Sequence, residues 1–120
     1  MQQAVEKAAE SAQAVLWPNH VFVKDQSVLY KVHVNDIYYL EADGSYCKVF
    51  TEHRNFHTSK PMKHILERLS HPQMLKVSRK HVININHVES LMGRTAKIRG
   101  IDIQISDHVL KRIKAHMTTL

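Results

Sequence analysis

From His20 to Ile105 the chain alternates short runs of β-favouring residues with turn signals, and this rhythm limits its fold more than any other feature. Val21-Phe-Val23 is followed by Asp25-Gln26, and the run from Ser27 to Val34 by Asn35-Asp36. The run Ile37-Tyr-Tyr-Leu-Glu-Ala42 meets Asp43-Gly44-Ser45, a hairpin signal, and Tyr46 to Thr51 meets Arg54-Asn55 before Phe56-His-Thr58. Later, Thr95 to Arg99 turns at Gly100 into alternating Ile101, Ile103 and Ile105. Strands broken every eight to twelve or so residues predict a mainly β fold of small antiparallel sheets, not a parallel sheet alternating with helices. Within the Tyr46–Thr51 run, period-two alternation puts Tyr46, Lys48 and Phe50 on one face and Cys47, Val49 and Thr51 on the other.

Two segments depart from this rhythm. Met62, Ile65, Leu66 and Leu69 recur at helical spacing, which predicts an internal helix over Ser59–Leu69 with Ser59 as N-cap and Pro61 in the first turn. A short C-terminal helix is expected after Ser106-Asp107, with Val109, Leu110, Ile113 and Met117 as its apolar face. Ahead of the β region, residues 2–16 are alanine-rich and free of proline and glycine, and Trp17-Pro18-Asn19 closes them. Residues 1–19 are therefore expected to be a linker or docking helix, and residues 20–120 a single domain.

The stretch from Leu75 to Asn86 carries the functional signal. Leu75 and Val77 anchor it, Ser78, Arg79, Lys80 and His81 form a polar, cationic knot, and alternation follows through Val82, Ile83 and Ile85. We expect one strand with the knot at its rim; a charged turn between two strands is the alternative. Charge is divided unevenly along the chain: residues 1–70 hold 8 Lys/Arg and 8 Asp/Glu, and residues 71–120 hold 9 and 3. The net +6 thus resides in the second half, which points to a polyanionic partner.

Other chemistries lack a foundation. The single Cys47 excludes an internal disulfide and a cysteine-based zinc site, and suits a reducing cytosol. Nothing resembles a nucleophile elbow, a phosphate-binding glycine loop or a framed carboxylate pair, so no enzyme is expected. The ten histidines do not adopt a metal-ligand spacing; His53 and His57 flank a turn, and no metal or cofactor is expected. No apolar run approaches the roughly 20 residues of a membrane span, and no signal-peptide core begins the chain, so a cytoplasmic protein with no membrane partner is expected.

Taken in order, Asp36-Ile-Tyr-Tyr-Leu-Glu-Ala-Asp-Gly-Ser-Tyr46, Pro61-Met-Lys-His-Ile-Leu-Glu-Arg-Leu69, Leu75-Lys-Val-Ser-Arg-Lys-His-Val-Ile-Asn84 and Gln104-Ile-Ser106 resemble the LytTR family, the DNA-binding output domain of LytR/AlgR-type bacterial response regulators. The resemblance runs from about Phe22 to Ile113. It implies an elongated β-β-β arrangement of small sheets whose loops enter successive major grooves. It also implies three contact regions: Cys47 with Lys48, Arg79 with Lys80, and His108. Where the family's box commonly has histidine, serine and an aromatic, this chain has Ser78, Lys80 and His81, so a different site preference is implied.

The residue chemistry assigns roles within that frame. Arg79, whose guanidinium fork matches the two acceptors of guanine, heads the base-contacting candidates, with Lys80, His108 and Lys48. Ser78, His81, Lys60, Lys63, Lys111 and Lys114 are the phosphate-contacting candidates. Cys47 fits a small core residue better than a contact. The expected partner is double-stranded DNA carrying imperfect direct repeats, bound by a domain that is monomeric in isolation. As a fragment of such a regulator, the chain would also meet the receiver domain of its own parent chain. A basic protein- or RNA-interaction module is the competing reading; no paired aromatic signature of a base-stacking sheet favours RNA.

Overall fold

Four consecutive residues, Ile37, Tyr38, Tyr39 and Leu40, are all buried, so the strand they begin is covered on both faces. This is β3 (Ile37–Asp43), the middle strand of a five-stranded antiparallel sheet, in a computed structural model that describes residues 16–120. The segment 2–16, expected to be a linker or docking helix, lies outside the described residues but for Leu16.

The sheet runs in the order β5-β4-β3-β7-β6, with β4 (Tyr46–Thr51), β5 (Asn55–Thr58), β6 (Met74–Lys76) and β7 (His81–Asn84). Hairpin β1–β2 (His20–Asp25, Val28–His33) forms a second sheet, and β8 (Ser90–Met92), β9 (Thr95–Ile98) and β10 (Ile101–Gln104) form a third. The domain is elongated, 54 × 35 × 23 Å, and mainly β, as expected. On one face of the central sheet Leu40, Cys47, Val49, Phe56 and Val82 pack with Val23 and Val32 of the hairpin and with Met62 and Leu69 of α1 (Met62–Leu69). On the other, Tyr39 and Ile83 pack with Ala96, Ile98 and Ile103 of the third sheet and Val109 and Leu110 of α2 (Asp107–Ala115).

A bulge in the β3–β4 pairing between Ile37 and Tyr39 lets Tyr38 and Tyr39, adjacent in sequence, enter the same core. The expected faces of β4 are observed: Cys47, Val49 and Thr51 are buried, and Tyr46, Lys48 and Phe50 look the other way.

Three sequence expectations need correction. The internal helix starts at Met62, not Ser59, and its N-cap is Pro61, in extended conformation at ψ 156°. A residue before proline is disfavoured from the α region, so Lys60 cannot be helical and the start moves past Pro61. The Leu75–Asn86 stretch is not one strand but two, β6 and β7, joined by a hairpin. Ser78 causes the reversal: its Oγ accepts from the backbone N–H groups of Lys80 (3.2 Å) and His81 (3.1 Å), and Val77 N–H donates to the His81 carbonyl at 3.0 Å. The C-terminal helix ends at Ala115, which leaves Met117 exposed beyond it.

Asn84 is fully buried yet fully used. Its Nδ2 donates to the carbonyl of Ile37 (3.0 Å) and to Asn35 Oδ1 (3.2 Å), and its Oδ1 accepts from Asn86 N–H (3.0 Å). This ties β7 to the short 3₁₀ turns Val34–Asp36 and Ile85–His87. Asn84→Ala leaves the buried Ile37 carbonyl without its donor, unties Asn35 and Asn86 at the surface, and is expected to cost about 1–3 kcal/mol of unfolding free energy. Urea denaturation checks this; an unchanged midpoint would refute it.

Candidate nucleic-acid interface

The apolar half of β3 continues into a polar half, and the change falls within one cross-strand row. Glu41 is in register with Lys48 on β4 and with His81 on β7, and Lys48 is in register with His57 on β5. Directly opposed residues of antiparallel strands share a face, so His57, Lys48, Glu41 and His81 lie side by side. Glu41 Oε1 stands 3.4 Å from Lys80 Nζ and 3.9 Å from His81 Nε2, and Asp43 Oδ2 stands 4.0 Å from Lys48 Nζ. The adjoining row on the same face is apolar: Tyr39 stacks on Phe50 at 4.3 Å and is in register with Ile83. The charged row is thus the rim of the second core.

The hairpin between β6 and β7 overhangs this row. Val77, its anchor, is fully buried, and its carbonyl accepts from Ser106 N–H at 2.8 Å. Ser106 is also the N-cap of α2, and its carbonyl accepts from Leu110 N–H at 2.9 Å. That bond seats the start of α2 against the hairpin. Arg79 at the hairpin tip is exposed and has no hydrogen-bond or ion-pair partner among the described residues. His108, in the first turn of α2, is exposed, with Nδ1 3.5 Å from Ser106 Oγ.

Lys48, Ser78, Arg79, Lys80, His81 and His108 are therefore brought to one end of the sheet and its neighbouring helix. Lys111 and Lys114 extend the same cationic surface along the exposed side of α2, opposite buried Val109 and Leu110. Lys60 and Lys63 do not join it. They sit before and on α1, which packs on the other face of the sheet through Met62 and Leu69. Cys47, which the resemblance set beside Lys48 as a contact, is fully buried; burial pushes its thiol up to about 11.

Sequence reasoning missed three residues here. Glu41 and His57 emerge only from strand register. Arg94 follows Gly93 in the turn between β8 and β9, and its guanidinium lies 3.3 Å from Asp107 at the start of α2. Elsewhere, potential ligand atoms of half-buried Asp36 and exposed Glu52 and His53 lie within 4.8 Å of one another; His57 is not among them.

A family model for the LytTr DNA-binding domain matches residues 27–118. The chain belongs to the LytTR family. Among solved structures it is similar to one described as the LytTr DNA-binding domain of a methyl-accepting/DNA response regulator from Bacillus cereus. The two share 18% identity, with a TM-score of 0.65 over 81% of this chain and 94% of the other. At that identity the likeness is one of fold. A search of curated proteins finds no match. The matched residues take in every element of this LytTR domain from β2 to α2, and with them the whole cationic surface.

His81 gives the surface a pH dependence. Burial in the hairpin lowers its pKa from 6.5; Glu41 opposes the shift and Lys80 adds to it. In the folded domain the ring stays neutral as pH falls below 6.5, while in the unfolded chain it takes up a proton. The unfolded state then binds more protons, so stability present above 6.5 is lost as pH falls toward the folded value. Urea unfolding at pH 7.5 and 5.5 should show a smaller acid loss in His81→Gln than in the wild type. Equal losses would contradict the assignment.

Proposed function

We propose that this LytTR domain binds duplex DNA sequence-specifically as the output module of a bacterial response regulator, in transcription control. The observation that carries the reading is the joining of three cationic regions at one end of the central sheet. Glu41 links β4 to the hairpin, and the Ser106–Val77 hydrogen bond links the hairpin to α2. Lys48 and His81 stand on strands and His108 on a helix, and Ser78, Arg79 and Lys80 sit in a short turn closed by the Ser78 hydroxyl, so the face is held more firmly than long loops would hold it. The long dimension, 54 Å, exceeds the roughly 34 Å that separates successive major grooves on one side of a duplex.

In this reading Arg79 presents its free fork to a guanine edge, and Lys80, Lys48 and His108 serve neighbouring base positions. Ser78, His81, Lys111 and Lys114 meet phosphate. Lys60 and Lys63, on the far side of the sheet, stand outside the proposed face. Two copies of a domain monomeric in isolation would sit head-to-tail on imperfect direct repeats, with pairing imposed by the DNA and by a receiver domain in the parent chain. No catalytic role is proposed. Binding to bacterial duplex DNA would take place in the cytoplasm. Among the described residues no helix is long and apolar enough to cross a membrane.

One observation favours the competing RNA reading: Tyr46, on the same face as Lys48, is exposed and could stack on an unpaired base. A salt titration against random duplex and single-stranded RNA separates the two.

The roles predict different patterns of affinity loss for the two kinds of cation. Arg79→Ala should cost roughly 1–3 kcal/mol at a duplex selected from a random pool and flatten preference at one base position. Lys111→Ala should weaken all duplexes alike and lower the salt slope by about one. Affinities on selected and scrambled duplexes at several salt concentrations check both. Equal losses of Arg79→Ala on the two duplexes would refute base reading, and no effect from either variant would turn attention to another partner.

A further inference from the structure

The carboxylate at the centre of the cationic rim has no obvious place in a surface that attracts phosphate. Glu41 is the only acid in the His57–Lys48–Glu41–His81 row, and two cationic or potentially cationic groups converge on its Oε1. Its side chain is 25% exposed, whereas that of Lys80 is 63% exposed. The lysine therefore reaches back to a fixed acid, rather than the acid reaching out to a fixed lysine. The backbone repeats the link: Ala42 N–H donates to the Lys80 carbonyl at 2.8 Å.

The sheet does not need this charge. A pair with one largely exposed member contributes little to stability, and the backbone bond already holds β3 to the hairpin. A charge that adds little to folding and opposes a polyanion acts on discrimination instead, since selectivity is commonly built from repulsion of the wrong partner.

We infer that Glu41 is a specificity-determining positioning residue of the DNA face, holding the Lys80 ammonium off the phosphate backbone and repelling duplexes that dock without register. The inference rests on the DNA-binding reading. In a loosely docked complex, phosphates approaching Lys48 and Lys80 meet the carboxylate between them, and the attraction is reduced. In a registered complex the hairpin enters the groove, Lys80 stays aimed by Glu41, and the remaining cations take the phosphates. Glu41 thus lowers affinity for arbitrary sequence more than for the selected site.

The test uses Glu41→Gln, which keeps the shape and removes the charge. Affinities of wild type and variant are measured on a duplex selected by the wild type and on a scrambled duplex of equal composition, at several salt concentrations. The variant should bind the scrambled duplex on the order of fivefold tighter, with a smaller gain on the selected one. Its salt slope on the scrambled duplex should steepen by about one as Lys80 becomes free to neutralise a phosphate.

A second variant reads the same device without touching the sheet. Because Glu41 already occupies Lys80, Lys80→Ala in the wild-type background should leave the scrambled-duplex slope unchanged. In the Glu41→Gln background it should remove the added unit of slope. The inference is overturned if Glu41→Gln shifts both affinities equally or leaves both the ratio and the slope unchanged. It is overturned as well if Lys80→Ala alone lowers the scrambled-duplex slope by about one. A wild type with no sequence preference among duplexes would overturn the DNA reading itself, and is distinguishable because it precedes any variant.

Discussion

Burial of β3 on both faces is the constraint from which the rest of the molecule follows. Ile37 and Leu40 look toward α1 and the β1–β2 hairpin, and Tyr38 and Tyr39 toward the third sheet and α2. Withdrawing Ile37 or Leu40 from water contributes about 1.5–3 kcal/mol each, and Tyr38 and Tyr39 are nearly as deeply covered, so neither layer can leave without exposing part of the strand. The layers in turn decide where polar residues can go. Beyond Leu40 the strand leaves the core, and Glu41 and Asp43 emerge among the cations of neighbouring strands. The cationic rim is therefore the end of the core, not a separate structure attached to it.

That continuity bears on function. A hairpin carrying Ser78, Arg79 and Lys80 would be mobile if it stood alone. Here Val77 plugs it into the second core, the Ser78 hydroxyl closes its turn, and Ser106 fixes it to α2. Arg79 is left with a free fork on a held backbone. Affinity for a polyanion needs only charge, whereas reading bases needs charge at a fixed position, and this geometry provides the second.

Much of this was legible in the sequence. Turn spacing gave the small antiparallel sheets, the alternation in Tyr46–Thr51 gave the correct faces, and the motif order gave the family. The errors have local causes. Helical spacing in Met62–Leu69 carries no marker of where the helix begins, and Pro61, by restricting Lys60, sets the start later than Ser59. In the Leu75–Asn86 run the alternating apolar residues mimic one strand, and the Ser78 hydroxyl, an acceptor that closes a turn, breaks it into two. Register was not legible at all. Nothing local in the sequence says that Glu41 faces Lys48 on one side and His81 on the other, or that Lys60 and Lys63 lie across the sheet from Arg79. These relations arise from strand order and a bulge that only the assembled sheet defines.

One face, made by the outer half of the central sheet, the hairpin and the start of α2, is the surface we propose to meet DNA. Titration of the isotopically labelled domain with a selected duplex, followed by amide chemical shifts, tests it directly. Lys48, Arg79, Lys80 and His108 should shift together as the duplex is added, while Lys60 and α1, Lys63 included, stay in place. Shifts concentrated on α1 and the β1–β2 hairpin, with the β6–β7 hairpin unmoved, would contradict it.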